Sequence, residues 1–377
     1  MLRFLDAGES HGKALVAILE GLPANFKLDI DFINNELKRR QCGYGRGNRM
    51  KIESDKVELW SGVRGNVTTG NPITLVIFNK DFENWKAIME NSPKEEDKIL
   101  IPRPGHGDLV GYYKYNTGDI RNSIERTSAR ETAIRTAVGA ICKNILINLG
   151  IDVRSKVSSI GNLKDDSINL FDDGCYNVIN SSEVRVYNKG IEENIKNLID
   201  KCKSEGDTVG GSIVVEAKNI PLGLGSYTMY DRKLDGILAS SIMSLQGIKA
   251  VEIGDILNEE KIFGSKFNDE IYYDENNNIK RKTNNAGGIE AGVSNGQNIK
   301  ITAYMKPIPS VKKPLQSVNL KEKINLNTRY ERSDVCGVVP ASIVIENILS
   351  FEILKEILKV YPNDDFNKLK ESINKTF

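Results

Sequence analysis

Histidine is nearly absent: the chain of 377 residues holds two, His11 and His106. Neither H-x-x-H nor H-E-x-x-H can be written, which excludes the usual histidine-rich metal sites. Cysteine offers no substitute, because Cys42, Cys142, Cys175, Cys202 and Cys336 are odd in number, scattered and without C-x-x-C spacing. That pattern argues against a disulfide framework or a zinc site and for a reducing compartment, so a cytoplasmic protein is expected. Excess charge is missing as well. With 52 Lys+Arg against 51 Asp+Glu and a net charge of +1, no global field draws the chain onto nucleic acid or an anionic membrane. No apolar run approaches the ~18 to 20 residues needed to span a bilayer. The N-terminal MLRFLDAGESHG has neither an apolar h-region nor a small-residue cleavage site. Solenoid repeats and Pro- or Ser-rich linkers are lacking too.

What is present is an ordinary apolar content of 40%, sufficient for a globular fold. Segments 72–78 (PITLVIF), 212–217 (SIVVEA) and 299–305 (IKITAYM) are rich in β-branched residues and read as strands. Helical periodicity covers 31–40, 231–246, 341–361 and, most clearly, the stretch after Ser128. There Ala133, Ile134, Ala137, Val138, Ile141, Ile145 and Leu149 follow i, i+3, i+4 spacing until Gly150, and Ser128-x-x-Glu131 reads as a capping box. The spacing predicts a central helix. Strands and helices alternate irregularly, so the class is α+β. The polar stretch 268–285 reads as a surface hairpin or loop, and residues 1–377 are expected to form one large domain.

Both histidines sit in glycine turns, GESHG at 8–12 and RPGHG at 103–107. Imidazole titrates near neutrality, so each is an acid/base candidate, set against the plainer reading of an incidental histidine. Residues 38–51 (KRRQCGYGRGNRMK) carry six basic side chains and no acid. Glycines beside guanidinium forks suit a phosphate or carboxylate ligand. The P-loop pattern is not met, and the dinucleotide fingerprint fails at Asn48. A Gly/Arg RNA-binding loop and a solvated basic loop remain the rival readings. Arg121, Arg126 and Arg130 gather at the predicted helix start, where an anion is favoured, unless Glu125 and Glu131 simply pair with them. Arg332-Ser-Asp334 is either a further charged cluster or an N-cap. Residues 284–292 and 306–310 look like loops that hold a planar polar ligand close to the backbone.

In order, GESHG, RRQ-x-GYGRG-x-RMKIESD, SGVRGN-x-TTGNPI, RPGHGDL, ERTSARETA, NN-x-GGIE and RSDVCGVVPAS-x-V-x-E resemble the chorismate synthase family. The resemblance runs from about Leu2 to the last helix. It implies a layered β-α-α-β sandwich, with central helices between antiparallel sheets, and a homotetramer. It implies anti 1,4-elimination of phosphate from 5-enolpyruvylshikimate 3-phosphate to give chorismate, the last step of the shikimate pathway. Reduced FMN would be required though not consumed. By position, His11 resembles the general acid beside the departing phosphate. His106 resembles the histidine at the flavin pyrimidine edge, and Asp334 the aspartate that assists removal of the substrate proton. Arg40, Arg46, Arg49, Arg103, Arg130 and Arg332 would hold the substrate's phosphate and carboxylates. Arg126, Thr127, Ser128, Ala129, Gln246, Gly247, Ala291, Lys306, Pro307, Ile308, Pro309 and Ser310, with Arg332, would contact FMN. Gln246-Gly247 stands where relatives have Asn-Ala, Ser310 where some have Thr, and Ala291 where Gly is frequent. Monofunctional members depend on an external flavin reductase, and NADPH enters only where a chain reduces its own flavin. The absence of long insertions favours the monofunctional kind.

Overall fold

The computed structural model describes residues 1–47, 54–258, 260, 263–331 and 333–375. Two antiparallel sheets lie on either side of two long helices. The first sheet orders its strands as Arg3–Ala7, Ala14–Glu20, Ile73–Phe78 and Glu58–Leu59. Its register pairs Leu15 with Ile77, Ala17 with Leu75 and Leu19 with Ile73, all buried on the inner face. The second sheet runs Ile248–Ile253, Ile299–Met305, Gly211–Lys218, Asp152–Ile160 and Leu163–Lys164. Its inner rows are Val153, Ala217 and Ile299, then Val157, Ile213 and Ala303. The period of two that buries these rows follows from the pleat.

Between the sheets, helix Thr132–Asn148 packs on the first sheet and helix Val338–Val360 on the second, and the two helices pack on each other. The result is the expected α+β arrangement in sheet–helix–helix–sheet layers. A helix covered on all sides must be apolar all round, which explains why Thr132–Asn148 is buried along nearly its whole length. One continuous set of buried side chains extends from Leu2 to Ile373.

The outer faces of the sheets differ. On the second sheet, Arg154, Glu216 and Lys300 stand side by side across three strands. On the first sheet, Leu5 opposite Ile18 and the Trp60–Phe78 pair face outward, 74%, 46%, 63% and 50% exposed.

Most predicted elements stand within a few residues of their sequence bounds, for example Ile73–Phe78, Gly211–Lys218 and Ile30–Gln41. The polar stretch is a hairpin of Ile271–Tyr273 and Ile279–Arg281. Three expectations require correction. Ser128 does not open the central helix; it caps a short 3-10 turn, Ala129–Glu131, and the helix begins at Thr132. The Glu131 carboxylate accepts from Gln246 rather than closing a capping box. Arg121 starts a separate helix, Arg121–Thr127, so the three arginines do not share one helix terminus. The helix over 231–246 shortens to Leu234–Met243, behind a 3-10 turn at Tyr230–Arg232.

Where the central helices meet, polar groups are buried and paired. The Glu346 carboxylate accepts from Lys143 at 2.5 Å, Arg39 at 3.0 Å, Arg185 at 3.0 Å and the Ser155 hydroxyl at 2.7 Å. Burial pushes this carboxyl upward, but Arg39, Lys143 and Arg185 outweigh it and hold it well below the usual range. Gly139 faces the Asn347 backbone so closely that an added Cβ would overlap the Asn347 carbonyl. Gly139→Val is therefore expected to cost ~1–3 kcal/mol through overpacking. A lower urea midpoint is the readout, and an unchanged midpoint would refute the close approach.

Candidate active site

The first cluster forms around Asp55, which is buried. Arg130 donates to both Asp55 oxygens at 2.7 and 2.8 Å, and Arg40 approaches at 3.4 Å. Helix Ile30–Gln41 directs Arg40 inward, where its Nε donates to the Thr132 hydroxyl at 2.9 Å and its Nη2 to the Ala129 carbonyl at 3.0 Å. Arg130 Nε donates to Asn79 at 2.9 Å, and the Asn79 amide donates to the carbonyls of Gly12 and Glu9. The loop carrying His11 is thereby tied to the arginine cluster.

Asp334 is the second anchor. Arg46 donates to it at 2.6 Å, and the Gly47 backbone N–H donates to its other oxygen at 2.7 Å. It is not an N-cap, since Gly337 holds that position. Gly45, at φ +78°, accepts from the Val335 N–H, and a Cβ there would press on Ile199. A left-handed conformation and a close neighbour together require glycine. Burial pulls the Arg40 guanidinium down to about 9; Asp55 opposes this, while the positive charges of Arg130 and Arg46 add to it. Arg40, Arg46 and Arg130 thus converge on Asp55 and Asp334. Guanidinium groups gathered in this way suit an anionic ligand.

Each histidine is backed by a carboxylate. His11 Nδ1 lies 2.9 and 3.0 Å from the oxygens of Glu125, and its ring stacks on Trp85 at 4.0 Å. His106 Nδ1 lies 2.5 Å from Asp108, which also accepts from Arg103 Nε at 2.9 Å. Burial pushes the Asp108 carboxyl upward, but the hydrogen bonds of His106 and Arg103 outweigh it and hold the group well below the usual range.

A chain of contacts then closes around the residues selected for a planar ligand. Arg103 donates to the Ser310 hydroxyl at 2.8 Å, and the Lys306 ammonium donates to the Gly105 carbonyl. The Lys306 backbone N–H donates to the Gly247 carbonyl at 2.9 Å, and Gln246 donates to Glu131 at 2.8 Å. Gly107 rests against the Thr127 methyl, and the Ile308 carbonyl accepts from Thr208. The His106 turn, the 126–131 segment, Gln246-Gly247 and residues 306–310, including Pro307 and Pro309, are therefore neighbours. Gln246 Oε1 is buried and accepts no hydrogen bond from the described residues. Burial and nearby Asp6 raise the Glu131 carboxyl, against the opposing effects of Arg135 and Gln246. Arg126 reaches out to Asp6 at 2.8 Å.

Ala291 is not part of this set. It is exposed at a hairpin turn, and its neighbour Gly292 lies against Lys233 at the start of helix Leu234–Met243, whereas Gln246 follows that helix's end. Ala291 and Gln246 thus lie towards opposite ends of that ten-residue helix. Arg49 and Arg332 lie outside the described residues. Arg39, from the same basic run, turns to the opposite side of its helix into the Glu346 network. It helps line a cavity of about 1000 Å³ with Tyr176 and Arg185 that contains none of the selected site residues. Sequence reasoning missed Asp55, Asn79, Glu125 as a histidine partner, Trp85 and Asp108. Only Asp108, two residues from His106, left a local signal.

Among the described residues, no group of three or more His, Cys, Asp or Glu could hold a metal ion. No helix among them is long and apolar enough to cross a membrane. The five cysteines are free, and burial pushes the Cys336 thiol up to about 11.

Comparison with known proteins gives one result throughout. Residues 2–358 match the family model described as chorismate synthase. The chorismate synthase of Clostridium tetani (strain Massachusetts / E88) is 60% identical over 374 residues, covering 99% of this chain and 96% of that protein. That of Alkaliphilus oremlandii (strain OhILAs) is 51% identical, covering 98% of this chain and 97% of that protein. A crystal structure of chorismate synthase superimposes with a TM-score of 0.76 at 37% identity, covering 99% of this chain and 96% of that one.

The depressed Asp108 carboxyl carries a signed prediction. A carboxyl lowered by folding contributes stability that is present above its unfolded value, ~4, and is lost as pH falls through its folded value. Asp108→Asn should therefore be less stable than wild type at pH 6, with the gap between their urea midpoints narrowing below about pH 4. A gap that stays constant with pH would contradict the assignment.

Proposed function

The chain belongs to the chorismate synthase family, lyases of the shikimate pathway, and from that premise we propose its reaction in detail. 5-Enolpyruvylshikimate 3-phosphate loses phosphate from C3 and a proton from C6 in an anti 1,4-elimination, giving chorismate. The observation that carries this reading is the convergence of Arg40, Arg46 and Arg130 around Asp55 and Asp334, beside two carboxylate-backed histidines. Such a site suits a substrate with one phosphate and two carboxylates. Arg103, with Arg49 and Arg332, would complete the hold on these groups.

His11 would protonate the departing phosphate, and the surrounding arginines would favour its growing negative charge. Asp334, fixed by Arg46 and the Gly47 N–H, would assist removal of the C6 proton. Reduced FMN suits the closed set of neighbours around His106. Gln246 Oε1 is a buried acceptor in need of a donor, and the carbonyls and Lys306 of residues 306–310 give further polar edges. Residues 126–129 and Gly247 would complete the hold; Ala291, at the far end of its helix, is left out. When bound, reduced FMN supplies transient electron density that eases departure of phosphate from a substrate whose C6 hydrogen is poorly acidic. His106, oriented by Asp108, would maintain the protonation state at the pyrimidine edge.

A separate reductase would keep the flavin reduced in the cytoplasm; NADPH oxidation by the purified chain with FMN would count against this. A homotetramer is the proposed assembly. The apolar outer face of the first sheet, with Leu5, Ile18, Trp60 and Phe78, supports a subunit contact there, because water-exposed apolar patches of this kind mark interaction surfaces. Ile18→Glu is expected to shift the protein to smaller species in analytical ultracentrifugation.

Purified protein with reduced FMN under anaerobic conditions should form chorismate from the phosphorylated substrate, and failure to do so sinks the reading. His11→Ala and His106→Ala should each lower turnover by ~10²–10⁴-fold without unfolding the chain. Full activity in either variant would break that role.

A further inference from the structure

The His11 loop joins strands Arg3–Ala7 and Ala14–Glu20, yet its main partner comes from 114 residues away. Glu125, on helix Arg121–Thr127, has a side chain only 1% exposed. One of its oxygens accepts the His11 backbone N–H at 2.8 Å, and both lie within 3.0 Å of His11 Nδ1. The Glu125 carbonyl accepts the Ser10 N–H at 3.1 Å. The imidazole is stacked on Trp85 with the planes 28° apart, and the Arg121 guanidinium sits over the Trp85 ring at 5.0 Å. One carboxylate and one indole thus bear on the loop, the ring plane and the ring rotation together.

We infer that Glu125 is the positioning residue of His11: it holds a proton on Nδ1 and so assigns Nε2 as the atom that delivers a proton to the leaving phosphate. This rests on the reading of His11 as the general acid. The step balances: the Nε2–H bond breaks, a phosphate oxygen gains the proton as its bond to carbon breaks, and His11 is left neutral with Nδ1–H donating to Glu125. Solvent restores the Nε2 proton before the next turnover.

The electrostatics agree with the geometry. Burial would raise the Glu125 carboxyl, but the His11 hydrogen bonds and charge, with Arg121, outweigh it and the group lies below its ordinary value. Among the described residues, Arg121 lies 3.6 Å from Glu125, and Glu9 lies against Gly12 of the His11 loop. Lys13 is drawn away to Glu90, on the helix that carries Trp85, at 2.9 Å. Glu125 is a carboxylate in direct contact with the ring. A loop anchor alone would need only the two backbone contacts.

With two histidines in the chain, imidazole signals can be assigned with one His→Ala variant, and His106 serves as an internal control. In the substrate-free full chain, ¹⁵N shifts should report the Nδ1–H tautomer for neutral His11; an Nε2–H tautomer would overturn the inference without any variant at position 125. In Glu125→Gln the population of the Nδ1–H tautomer of His11 should fall, with the His106 signals unmoved and kcat for chorismate formation lowered, and Glu125→Asp should recover most of both. An Nδ1–H tautomer that persists unchanged in Glu125→Gln would refute the role of Glu125. Loss of that tautomer in a chain whose wild type forms no chorismate would uphold the pairing and refute the reaction assigned to it.

Discussion

Glu346 lies at the centre of the molecule without solvent exposure, and Lys143, Arg39, Arg185, Ser155 and Tyr176 all converge on its carboxylate. These partners come from the other central helix, the Ile30–Gln41 helix, the second sheet and the segments flanking it. Buried charge is costly unless fully paired, and breaking such a set by removing one partner typically costs ~3–5 kcal/mol. The network therefore fixes how the two sheet–helix halves meet. It also fixes the rotation of helix Ile30–Gln41. Once Arg39 is committed to Glu346, the next residue, Arg40, is turned towards Thr132 and Asp55 on the other side. The structural network and the candidate site are two consequences of one helix orientation.

The same device recurs at smaller scale across the site. Asp55 lies under Arg130 and Arg40, Asp334 under Arg46, Asp108 under Arg103 and His106, and Glu125 under His11. In each case a carboxylate, buried at Asp55, Asp108 and Glu125 and half-buried at Asp334, limits where a cation or imidazole can point. Fixed orientation matters for charge stabilisation, since groups already aimed at developing charge need no reorganisation during the reaction. Asn79 links two of these units without adding charge, connecting Arg130 to the His11 loop.

Much of the scaffold was legible in the chain, because local periodicity encodes it. PITLVIF and IKITAYM could only be strands, and the 132–148 segment only a covered helix. The errors came where tertiary partners override local signals. Ser128-x-x-Glu131 satisfies a capping pattern, yet Gln246 takes the Glu131 side chain and a 3-10 turn intervenes. The basic run at 38–51 gave no hint that Arg39 and Arg40 serve opposite sides of a helix. The carboxylates were hardest to see, since Arg46 meets Asp334 across 288 residues and His11 meets Glu125 across 114. No spacing rule pairs residues so distant. Asp108 was close enough to notice, but an acid at the first turn of helix Asp108–Tyr115 has an ordinary explanation in the helix dipole.

The gathering of Arg40, Arg46 and Arg130 bears on the molecule as a whole. Arg40 is buried, lowered by that burial, and surrounded by Arg130 and Arg46 as well as by Asp55. The positive charges of Arg130 and Arg46 weigh against that of Arg40, with Asp55 and Asp334 opposing them, and a bound polyanion would act in the same sense as the two carboxylates. Any ligand that binds only the folded state adds stability in proportion to the logarithm of its concentration over its dissociation constant. A polyanion binding here adds to that general effect the relief of a repulsion already present. The segments that carry the arginines are the end of helix Ile30–Gln41, the Gly45–Gly47 turn and the 3-10 turn at Arg130, and the last of these leads directly into the buried helix Thr132–Asn148.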